Sequence, residues 1–145
     1  MSATGCLVNV VFMEGDKKLH WPLAIGLGAV ALIRPLASLS GLLDGLRPAS
    51  PIVLTVLVSV LWVAVVGLSG TARAVPTLVA AGVTYSVLSI ALGGIASSIM
   101  LGELQGPLAR PIAILPVLMV NAAWGAITGL IALGVQRQRL GTART

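Results

Sequence analysis

The sequence predicts an all-α membrane protein, a four-transmembrane-helix up-down bundle, and three observations support it. Hydrophobic residues make up 57% of the 145 residues and charged residues only 9%, whereas a soluble domain carries about 25% charged residues. Too little polar material remains to cover a water-facing surface. Four apolar stretches each reach the roughly 20 residues that a helix needs to cross a bilayer. Short breaker segments separate these stretches, which makes neighbouring helices antiparallel. The charged stripes of a soluble bundle are missing, and so are the short alternating strands of a β-barrel.

Residues 1–20 read as a cytoplasmic N-terminal segment. The apolar run Cys6–Phe12 is too short to span and no basic region precedes it, so it is not a secretory signal. Met13 opens MEGDKKLHW, a basic flank leading straight into a span. Residues 1–12 therefore read as a spurious extension or a disordered tail.

The expected helices cover about 21–43, 51–69, 75–101 and 111–135, a transmembrane domain of 21–135 followed by a basic tail at 136–145. The breakers are DGLRPAS (44–50), GTAR (70–73) and GELQGPLAR (102–110). Pro51, Pro76 and Pro111 stand near helix starts, where a missing N–H costs little.

Basic residues set the direction. Lys17, Lys18, Arg73, Arg137, Arg139 and Arg144 fall on the N-terminal flank, the middle loop and the tail, against Arg47 and Arg110 on the other two loops. By the positive-inside rule both termini lie in the cytoplasm. The Ala/Gly/Leu/Val/Arg bias points to a bacterium, hence to the inner membrane. The net charge of +5 then reflects orientation and anionic headgroups at Lys17, Lys18, Arg137 and Arg139, not nucleic acid. Trp21 suits the inner interface.

A shift of 62 residues lays WVAVVGL (62–68) over WGAITGL (124–130) and Ser59 over Asn121. This suggests a 2+2 tandem repeat with a pseudo-two-fold along the membrane normal, a relation known among transporters. Chance matching within a small apolar alphabet is the competing explanation.

Each span offers a stripe of small or polar residues, which membrane helices use for close approach. Gly82, Ser86, Ser89, Gly93 and Ala96 line the third, and Asn121, Gly125, Thr128 and Ala132 the fourth, where Gly125 and Gly129 also form a GxxxG pair. Tight packing is the simplest reading, and a homo-oligomer or a membrane-protein partner could use the same stripes.

Arg34 demands a reason of its own. Counted from Asp44 it lies about 15 Å inside the outer end of its span, where a charge costs about 2.5–3.5 kcal/mol on insertion scales. Pro35 removes the hydrogen bond to the Ala31 carbonyl, so a kink is expected at the charge. Asn121, Ser59 and Ser89 fall near the same depth and complete a candidate polar site with Arg34 and Pro35. Glu103 is the candidate counter-ion if its Gly-flanked loop folds back. Snorkelling or capping of freed carbonyls by Arg34 is the structural alternative.

One histidine and four dispersed acids do not assemble a catalytic constellation, a metal site or a cofactor site. The lone Cys6 allows no intrachain disulfide. The expectation is a transport-type protein with a polar mid-membrane site around Arg34. The alternative is an accessory or scaffold subunit of a larger membrane complex.

Overall fold

The computed structural model describes residues 19–41, 45, 49–71 and 73–142. Among the described residues the α-helices are α1 (Trp21–Val30), α2 (Ile33–Leu39), α3 (Ala49–Ser69), α4 (Ala74–Leu101) and α5 (Ile114–Thr142). Two short 3₁₀ turns, Gly106–Leu108 and Pro111–Ala113, precede α5. Together they give four helical segments long and apolar enough to cross a membrane: Trp21–Leu39, Ala49–Ser69, Ala74–Leu101 and Pro111–Thr142. Large apolar side chains cover the outside, Ile99 and Ile112 among the most exposed. Such a surface matches acyl chains, not water. The expected status of residues 1–12, the headgroup contacts of Lys17 and Lys18, and the position of Asp44 lie outside the described residues.

The course of the helices departs from the sequence reading chiefly in the first and last spans. The first helix ends at Leu39, not 43, and Gly41 follows with φ 65°. Glycine meets that left-handed geometry without a Cβ penalty. The last helix runs on to Thr142, so most of the expected tail continues α5. The first span is also broken one turn before Arg34, at Ala31–Leu32, and not at the charge. Pro35 explains the offset, because its ring acts on the carbonyl four residues back. The Ala31 oxygen instead accepts the Arg34 N–H at 3.2 Å, and Leu32 N–H reaches Ala29 O at 3.0 Å. Tight i→i+3 bonds thus replace the α-helical ones across the break.

The main seam joins α4 to α5. Gly82 faces the Asn121 backbone, Gly125 faces Leu78, and Gly129 faces Val75. This register ascends one helix while descending the other, so the two run antiparallel. A Cβ at Gly82 would overlap the Asn121 carbonyl, and one at Gly125 the Leu78 carbonyl. These glycines let the backbones touch where no hydrophobic drive brings helices together. Ser86 is buried and donates to the Gly82 carbonyl at 3.0 Å. Around this seam, α1 packs on α4 and α3 packs on α5, while α3 makes little contact with α4. Gly28 fits against Ala81 and Thr84, and Gly67 against Ala132 and Val135.

Consecutive spans are therefore not always the closest neighbours. Nor do the tryptophan contacts follow the 62-residue repeat. Trp62 is buried and donates to Leu27 O at 3.1 Å on the first span. Its counterpart Trp124 is 45% exposed and donates to Ser59 Oγ at 3.0 Å on α3. A two-fold relation would have sent Trp124 to α4.

At one end of the bundle, Gln136 Nε2 donates to Val66 O at 2.8 Å and to Thr71 O at 3.2 Å. Arg139 Nη1 donates to Leu68 O at 3.3 Å. The end of α5 thereby ties down the α3–α4 connection and brings Arg139 to the loop that carries Arg73. The other end holds Gly41 and the 102–113 connection.

Candidate functional site

The break in the first span makes a cleft. Up to Val30 the chain follows α4; beyond Leu32, α2 leaves α4 and instead touches α3. The wedge between α2 and α4 is a cavity of about 360 Å³ lined by Arg34, Tyr85, Ser89, Ile90, Gly93, Ser97, Gln105, Gly106, Pro107 and Val117. Its α4 residues recur every three or four positions, so one face of that helix forms the wall. From Tyr85 to Ser97 this wall is about 18 Å long at 1.5 Å per residue.

Arg34 projects from the second residue of α2 back across the wedge, and its Nη1 donates to Tyr85 Oη at 3.4 Å. Its Cα stands five residues from the helix end at Leu39, about 8 Å in place of the 15 Å expected from a longer helix. Tyr85 is eleven residues into α4, about 16 Å along its axis. The guanidinium therefore reaches across the wedge to α4, while Arg34 as a residue stays exposed at the open side of the cleft. The pairing lowers the cost of holding the charge there but leaves it un-neutralised.

The floor and mouth are ordered by local bonds. Ser89 donates to Ser86 O at 3.0 Å, and Ser97 donates to Gly94 O at 3.0 Å. Ser97 Oγ also accepts the Gln105 backbone N–H at 3.1 Å, which pins the connecting segment over the cleft. Leu108 inserts where Gly94 has no side chain, and a Cβ there would overlap it. Glycines at 102 and 106 take φ of 71° and 75°, which lets the segment double back across the α4 end.

Of the residues expected to form the polar site, the structure brings Arg34 and Ser89 together and separates the rest. Pro35 acts on the backbone and does not line the cavity. Asn121 lies within about one turn of the Tyr85 layer, but its Nδ2 donates to Val117 O on its own helix at 2.8 Å. A short amide in a helix finds that carbonyl more readily than a distant partner. Ser59 donates to Thr55 O at 2.8 Å and accepts Trp124 Nε1, which places it in the α3–α5 contact. Glu103 is exposed in the 102–105 turn, and among the described residues no ion pair joins it to Arg34. Gly82, Ser86, Gly125 and Gly129 lie in the α4–α5 seam. Gly93 instead lines the cleft, with nothing near its Cβ direction.

Tyr85 and Gln105 escaped the sequence reading. Tyr85 is the chain's single tyrosine. It stands between Gly82 and Ser89 at helical spacing, and that was the available signal. No family model, curated protein or solved structure matches the chain.

Proposed function

We propose that this is a non-enzymatic, transport-type membrane protein whose solute site is the Arg34–Tyr85 cleft. The observation that carries it is Arg34 itself, a cation within an apolar span that lines an open cleft and reaches across it to Tyr85. An arginine kept only to cap a helix break would be expected on the freed carbonyls, and the Arg34 backbone N–H already serves Ala31 O.

In this reading the four spans form a bundle in a bacterial inner membrane with both termini inside. Arg73 and Arg139 at one end and the cleft beneath the 102–110 connection at the other support that direction. The cleft then opens outward, and the Ala31–Leu32 break supplies the hinge at which α2 can close on α4.

Solute flux into proteoliposomes of the purified protein and of Arg34→Gln tests this. Saturable flux that falls at least tenfold in the variant supports transport. Absence of flux for a panel of small anions and neutral solutes, together with stable co-purification of another membrane protein, would favour the accessory-subunit alternative.

A further inference from the structure

We infer that the Arg34 cleft binds an oxyanion, a carboxylate or phosphate group carried by a free solute or by a lipid headgroup. This rests on the cleft being a binding site and names the chemistry it takes.

A count of donors and acceptors makes the argument. A guanidinium has five N–H donors, and the bond to Tyr85 engages Nη1 alone. Tyr85 accepts that bond, so its own O–H remains to be donated, and no hydrogen bond joins it to an acceptor among the described residues. Gln105 uses its backbone N–H on Ser97, while its side-chain amide contributes two more donors that no described residue engages. The opposing acceptors are few. Ser89 and Ser97 give their hydrogens to helix carbonyls, leaving only lone pairs, and the amide oxygen of Gln105 adds one more group. No carboxylate is among the lining residues.

The site therefore has a fixed positive charge and a surplus of hydrogen-bond donors, against apolar walls from Ile90, Pro107 and Val117. Water would fill the donors without balancing the charge. A cation would be repelled, and a neutral amide or sugar would bring donors that find few partners. An oxyanion supplies several lone pairs and the missing charge, and its planar or tetrahedral oxygens match the guanidinium fork. The cavity of about 360 Å³ limits the occupant to a small molecule or a single headgroup.

Thermal unfolding of the full chain in nonionic detergent tests this. Acetate and inorganic phosphate form one arm and phosphatidylglycerol the other. Acetamide, sodium chloride at matched ionic strength and diacylglycerol serve as controls. The expected result is saturable stabilisation by at least one anion arm and none by the controls. It should vanish in Arg34→Gln, and its half-saturating concentration should rise about tenfold in Tyr85→Phe, the loss of one charge-assisted hydrogen bond. Should Arg34→Gln fail to fold, Arg34→Lys keeps the charge without the fork and should also weaken binding. Saturation by the soluble anions supports both this inference and the solute reading. Saturation by the lipid alone supports the oxyanion and overturns the free-solute reading. Stabilisation that acetamide reproduces, that the Arg34 variants retain, or that no anion produces overturns the inference, whatever the flux assay shows.

Discussion

Trp62 donates its indole N–H to the carbonyl of Leu27, an oxygen that also accepts the Ala31 N–H at 3.2 Å, the last α-helical bond before the break in the first span. The second span thus grips the first at the point where its helix fails. Trp62→Phe keeps a large ring and removes only this bond. A buried hydrogen bond is worth about 0.5–1.5 kcal/mol net, and thermal unfolding in detergent should show a loss of that order. Trp124→Phe, at a half-exposed ring, should cost less.

The glycines divide by what faces them. Gly125→Ala and Gly82→Ala force a Cβ into the backbone of the opposite helix, and overpacking of this kind costs about 1–3 kcal/mol. Gly93→Ala meets open space and should be neutral or stabilising by up to about 1 kcal/mol, the gain from a stiffer helix. Equal destabilisation at all three positions would mean that α4 and α5 do not meet in this register.

Thr77 is fully buried and its Oγ1 has no hydrogen-bond partner among the described residues. The carbonyl one turn back, Arg73 O, accepts the Thr77 N–H. An unsatisfied buried hydroxyl costs about 1–3 kcal/mol, so Thr77→Val, nearly the same shape, should raise the unfolding temperature. A fall would mean that the hydroxyl is bonded after all.

Leu108 holds the 102–113 connection against α4 by occupying the space above Gly94. Gly94→Val should expel it and loosen the 102–110 segment. A cysteine placed at Ser97 should then react several-fold faster with a water-soluble maleimide than in the unmodified background.

The sequence made some of this legible and hid the rest for identifiable reasons. Apolar length and breakers located the four spans, because a bilayer demands both. Glycine spacing identified Gly82, Gly125 and Gly129 as approach points, since few other roles suit glycine inside a membrane helix. Pro35 announced a disruption, but its force falls on Ala31, so the break lies a turn earlier than the charge. Asn121 meets α4 at Gly82, one turn from Tyr85. Its side chain turns to Val117 O, however, and depth alone does not fix a face. Gln105 could not be found by periodicity, because it reaches the cleft through a glycine-bounded turn. The repeat of Trp62 and Trp124 is visible in the residues and unmatched in their contacts, as each ring meets a different helix.

The central claim is that a water-filled cleft carrying the Arg34 charge, not lipid, lies along the Tyr85–Ser97 face of α4. Single cysteines at Ser89, on that face, and at Val87, exposed on the outer apolar surface of the same helix, measure it directly. In proteoliposomes of Cys6→Ala protein, a membrane-impermeant maleimide should label Ser89→Cys and leave Val87→Cys unmodified, with acetate or phosphate slowing the first. Labelling of position 87 with position 89 silent would contradict the account.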